Sequence, residues 1–152
     1  MRWDEKHMMN DNRSVRAGGG PTPHITISGG RAADAIAFYE KAFGARLLSR
    51  ILAEDGHRIL IAILFINGGN LALSDEFPET GCATGQTSPT QRVAGVVLHL
   101  QVEDADTWWE MGLEAGAEIA FPLGVQFWGD CYGQLLDPFG YVWSIGSLAT
   151  KH

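Results

Sequence analysis

Two histidines, His24 and His99, are the side chains of this sequence best suited to acid/base chemistry. An imidazole titrates near neutrality and can act as acid, base or metal ligand. Each sits in a stretch that alternates polar with apolar residues, His24-Ile-Thr-Ile-Ser28 and Val97-Leu-His-Leu-Gln101. A period of two marks a strand with one buried face. His24, Thr26 and Ser28 therefore share a face, as do Val97, His99 and Gln101, with Ile25, Ile27, Val96, Leu98 and Leu100 behind them. The same alternation turns Ser144 to the polar side and Trp143 away from it, while Ile61, Ile63 and Phe65 supply hydrocarbon from the apolar run Ile59 to Ile66. An apolar wall facing a few polar groups suits a neutral or mildly polar organic ligand. Trp128 and Tyr132 flank Gly129-Asp130 and are placed at the mouth of such a site. Either histidine alone could simply satisfy local hydrogen bonds; both on matching strands is what points to function.

The elements that must position these residues follow from periodicity and turn chemistry. Ala32, Ala35, Ile36, Tyr39, Ala42 and Phe43 recur at helical spacing and end at Gly44, a C-cap. Strands are predicted over 24–28, 47–52, 58–66 and 70–74, the middle ones joined at Glu54-Asp55-Gly56 and Asn67-Gly68-Gly69. The same order recurs: strand 95–102, a helix over 105–115 capped by Asp104 and ended by Gly116, then strands 118–123, 130–136 and 141–146. Asp137-Pro-Phe-Gly140 forms a tight turn before the last strand. Phe38-Tyr39…Gly44-Ala45 is echoed by Trp108-Trp109…Gly116-Ala117. Repetition on this scale marks a duplicated β-α-β-β-β unit. The Trp108-Trp109 pair reads as core plus interface.

Composition narrows the classes of function. The chain has 152 residues, a net charge of −7 and 45% hydrophobic residues. Acidic balance argues against nucleic-acid partners, which need clustered Lys and Arg. No apolar run reaches the ~20 residues of a membrane-spanning helix, so a membrane partner is not expected. Residues 1–20 lack a signal-peptide pattern and read as a flexible arm or an extension of the reading frame. Cys82 and Cys131 lie far apart, which fits two free thiols in a reducing cytoplasm. Nothing basic beside Cys131 lowers its pKa.

Three segments carry a family resemblance: Ala35-Ile-Ala-Phe-Tyr39 through Phe43-Gly-Ala45; Leu71-Ala-Leu-Ser-Asp-Glu76; and Phe127-Trp-Gly-Asp-Cys-Tyr-Gly133 with Asp137-Pro-Phe-Gly-Tyr-Val-Trp143. In this order and spacing the sequence resembles the PhnB-like branch of the vicinal oxygen chelate (glyoxalase/bleomycin resistance/dioxygenase) superfamily. Cys131 and Tyr141 depart from the arginine and histidine common there. The resemblance implies an α+β fold in which two β-α-β-β-β modules form a curled eight-stranded mixed-sheet cup with helices outside. It implies one domain over 21–148: module one 21–76, linker 77–93 and module two 94–148. Members usually form homodimers and hold a ligand, often with a metal, in the cup.

The metal-dependent relatives take four ligands from four strands. Here those positions fall on His24, Ile63, Val97 and Ser144, so His24 is the only matching ligand. His99 lies two residues beyond Val97, a shift of ~6.6 Å along a strand, which bonds of ~2 Å do not absorb. No cofactor is therefore expected. The expected protein is a cytoplasmic, homodimeric binder of a small organic molecule, for sequestration or metabolite sensing. The alternative is an enzyme of lyase, isomerase or dioxygenase type, either using a divalent metal or using His24 or His99 as a base. Ligand-contacting candidates are His24, Thr26, Ile61, Ile63, Phe65, Val97, His99, Gln101, Trp128, Tyr132 and Ser144.

Overall fold

The computed structural model describes residues 20–80 and 95–149. The arm before Gly20, most of the 77–93 linker and Cys82 lie outside the described residues. The first module runs β1 (His24–Ile27), α1 (Ala32–Phe43), β2 (Arg46–Leu52), β3 (Ile59–Ile66) and β4 (Gly69–Asp75). The second runs β5 (Leu98–Gln101), α2 (Ala105–Ala115), β6 (Glu118–Val125), β7 (Asp130–Leu136) and β8 (Val142–Leu148). A short 3-10 turn, Pro78–Thr80, follows β4. The eight strands fall into two mixed sheets of four, ordered β1-β4-β3-β2 and β5-β8-β7-β6. In each, the first strand pairs parallel with the last and the remaining pairs are antiparallel. This is the duplicated α+β architecture read from the repeat. No helix among the described residues is long and apolar enough to cross a membrane.

Local chemistry sets the helix limits. Gly44 takes the left-handed conformation (φ 65°) and its N–H donates to the Tyr39 carbonyl, closing α1. Asp104 caps α2, its carboxylate accepting from Thr107 N. The strand limits differ more from expectation. β5 begins at Leu98, not Gly95: its ladder with β8 starts at Leu98, opposite Trp143, and Gly95 (φ 85°) turns the chain before it. β6 runs on to Val125 through register shifts on either side of Phe121. Pro122 is tolerated there because β6 is an edge strand.

Both sheets turn their helix-side residues to one shared core. Ile25, Ile27, Leu64 and Leu73 from the first sheet join Leu100, Leu135, Trp143 and Ile145 from the second around α1 and α2. The junction is aromatic. Trp143 lies 4.7 Å from Phe43 and 5.2 Å from Tyr39 between ring centroids. Trp109 is buried, as the core half of the Trp108-Trp109 expectation requires. Asp137 is buried in the same junction and accepts from Tyr39 Oη (2.6 Å), Trp143 Nε1 (2.9 Å), Phe139 N (2.8 Å) and Tyr141 N (3.0 Å). Burial raises its carboxyl above the ordinary range, although each of these hydrogen bonds pulls the other way.

Side chains also close the free edges of the two parallel strands. Thr26 N donates to the Tyr141 hydroxyl (3.1 Å), which donates in turn to the Thr26 carbonyl (2.7 Å). Asn67 Nδ2 donates to the Gln101 carbonyl (2.9 Å) at the edge of β5. The two contacts are reciprocal: the turn before the last strand of each module caps the first strand of the other. Tyr141→Phe is expected to cost about 1 kcal/mol, the net worth of one such pairing. The specific signature is faster hydrogen exchange at the Thr26 amide; unchanged protection there would refute this account of the edge.

Candidate functional site

The faces turned away from the core carry the chemistry. On the first sheet, His24 Nε2 and Ser74 Oγ are 3.0 Å apart. The parallel register explains this: Thr26 lies opposite Ser74 and His24 opposite Ala72, so Ser74 stands two residues along the same face. His24 Nδ1 has no partner among the described residues. Partial burial lowers the His24 pKa, so the ring is neutral near neutral pH. A depressed histidine contributes stability that is present above its unfolded-state pKa and is lost as pH falls through the native one. NMR titration of the ring should therefore give a midpoint below that of an unstructured histidine; a midpoint at or above it would contradict this environment. Ile61, Ile63 and Phe65 lie on this face of β3, outside the shared core. The Arg46 guanidinium sits 5.4 Å from the Phe65 ring centroid.

On the second sheet, His99 Nδ1 is 2.7 Å from Ser144 Oγ and Nε2 is 2.9 Å from Gln101 Oε1. With an amide oxygen facing Nε2, that nitrogen carries the proton and Nδ1 accepts from the Ser144 hydroxyl. Both ring nitrogens are thus engaged within the chain. Ser144 is buried at 1% exposure, so its hydroxyl serves the histidine and not a solvent-borne substrate. Tyr132 stacks on His99 with centroids 6.0 Å apart at 20°. Trp128 is half-exposed and meets Tyr132 edge-on at 5.8 Å.

The predicted residues thus gather in two groups. His24 and Thr26 sit with Ser74; His99, Gln101, Ser144, Tyr132 and Trp128 sit together on the other sheet. Among the described residues, no hydrogen bond or ring contact of the His24 or His99 side chain crosses between the sheets. Val97 lies just before β5 and is 45% exposed. With His99 it lines a cleft of about 310 Å³ between the β3–β4 turn and β5, whose other walls include Pro23, Asn67, Asn70 and Trp143. Sequence reasoning missed Ser74, Phe121 and Phe127. Alternation along 71–75 could have flagged Ser74. Phe121 was hidden because the irregular register beside it breaks the alternation. Cys131 is buried and its thiol pKa is raised, by burial first and the nearby Asp106 second, as befits an unreactive thiol.

The four positions that the resemblance assigns to metal ligands carry His24, Ile63, Val97 and Ser144. Ile63 and Val97 have no donor atom. Among the described residues no group of three or more His, Cys, Asp or Glu side chains converges.

The family profile for the Glyoxalase/Bleomycin resistance protein/Dioxygenase superfamily matches residues 22–145. The chain belongs to this superfamily. The superfamily model thus spans both modules. An uncharacterized Mycobacterium tuberculosis protein, Rv0887c, is 39% identical over 125 residues, covering 82% of this chain and 72% of its own. Among solved structures, the Arabidopsis thaliana At5g48480 gene product is 24% identical with a TM-score of 0.64, covering 83% of this chain and 96% of its own. A PhnB protein from Bacillus cereus is 20% identical with a TM-score of 0.61, covering 84% and 98%. These likenesses establish the shared superfamily fold, including that of a PhnB protein.

Proposed function

We propose that this superfamily member is a homodimer that binds a small organic molecule against its open sheet faces and works without the family's metal, as a sequestering or sensing protein. The observation that carries the reading is the chemistry at the four ligand positions: one imidazole, two hydrocarbons and a serine already committed to His99. A zinc-like or hard ion needs several carboxylate, imidazole or thiolate donors at one point, and these residues do not fit one. His99 cannot replace a ligand without losing Ser144 or Gln101.

A second reading, a metal-free enzyme, rests on His24. Its pKa is lowered by desolvation and its Nδ1 has no partner among the described residues, which suits a general base.

Light scattering tests the dimer: monomer alone at micromolar concentration would reject it. Calorimetry with Ni, Zn, Mn and Fe(II), beside metal analysis of tag-free protein, tests the metal. No stoichiometric binding is expected, and unchanged thermal stability in chelator should accompany a rise in Tm with an organic library compound. Stoichiometric metal that disappears in His24→Ala would sink the metal-free reading.

A further inference from the structure

The second sheet's open face has a composition the fold does not require. Five rings form a connected set: His99 on Tyr132 at 6.0 Å, Trp128 to Tyr132 at 5.8 Å, Phe121 to Tyr132 at 6.3 Å, and Phe127 to Trp128 at 5.0 Å. Phe127 is 97% exposed, Trp128 51% and Phe121 44%. Aromatic side chains this open on one face are a poor use of hydrophobic area unless something covers them. The rings are also held in place. Gln134 Nε2 donates to the Tyr132 hydroxyl (3.0 Å), and His99 is fixed between Ser144 and Gln101. Gly146 makes room for that pair: a Cβ there would lie 3.0 Å from His99 Cε1 and 3.1 Å from Gln101 Oε1.

Among the described residues, the charge of this module has one sign. Between residues 95 and 149 the chain has eight carboxylates and no lysine or arginine. Every lysine and arginine of the described residues lies between 31 and 58, in the first module. Strand alternation puts Asp130 on the same face as Tyr132 and Gln134, and Glu118 shares it opposite Leu136. An anion would meet carboxylates and the negative faces of rings, whereas a cation gains from both. We propose that this face binds a planar organic cation, stacked on Tyr132 and Trp128 with Asp130 beside its charge. The inference rests on the small-molecule reading above and names the ligand's chemical class.

The test uses one three-ring frame in three charge states with the full chain at mildly alkaline pH: proflavine (cationic), acridine (neutral) and acridine-9-carboxylate (anionic). Quenching of tryptophan fluorescence and dye anisotropy report binding. Proflavine is expected to bind one per chain, with acridine at least about fivefold weaker and the carboxylate weaker still. Trp128→Ala and Tyr132→Leu should each weaken proflavine about tenfold, and Asp130→Asn about threefold, with affinity falling as salt rises. Trp128 is half-exposed, so its variant keeps the fold and decides the matter if Tyr132→Leu does not. Equal affinity for all three dyes, or undiminished binding in both aromatic variants, overturns the proposal. So does proflavine affinity that vanishes as the chain dimerises, which would assign the rings to subunit contact. If none of the dyes binds while a compound of other chemistry stabilises the protein, the ligand class fails and the small-molecule reading stands. If no organic compound binds, both fail.

Discussion

Asp137→Ala is expected to destabilise the native chain by about 3–5 kcal/mol, because it strands several buried donors at once. The Tyr39 hydroxyl, the Trp143 indole and the amides of Phe139 and Tyr141 all lose their acceptor. Asp137→Asn should cost less than alanine but still well over ~1 kcal/mol, since its NH2 sets a donor against one of the two donor pairs. Burial raises the carboxyl, but the four donors around its two oxygens favour the acceptor-only charged form. The sign of the pH effect follows. With the native pKa above the unfolded one, stability from this group is fully present below the unfolded pKa and declines as pH rises through the native value. Asp137 therefore does not drive acid unfolding. Urea midpoints of both variants across pH measure this. An alanine variant as stable as the parent would show that the network does not hold the junction.

Gly133→Ala is the second large effect, at about 2–3 kcal/mol of overpacking. A Cβ at this position would lie 2.7 Å from Trp109 Cζ3 and 2.8 and 2.9 Å from Leu123 Cα and N. The tryptophan edge can give way, but the β6 backbone cannot without breaking its pairing to β7. Adding Trp109→Phe should therefore fail to restore stability. A single variant within about 0.5 kcal/mol of the parent, the ordinary range for surface changes, would mean that β6 is far looser than its pairing suggests.

How much could be read from residue order alone depends on how local each cause is. Both helices were legible to the residue, since Gly44, Asp104 and Gly116 act on their own neighbours. The strand ends were less so, because Gly95 and the shifts around Phe121 are settled by partners elsewhere. His24 and His99 were correctly placed on polar faces, but their hydroxyl partners Ser74 and Ser144 depend on the parallel register of distant strands. Asp137 was legible only as a turn residue. Its tie to Tyr39 spans 98 residues, and no spacing rule reaches that far.

That tie has a consequence for how the chain is made. While the first module leaves the ribosome, Tyr39 and Phe43 have a helix to stand on but no Trp143 or Asp137 to meet. Contacts of such long sequence separation form late, and surface left waiting for them is prone to aggregate. The newborn first half is thus an unfinished interior, and its safe completion depends on how soon the final hairpin is synthesised.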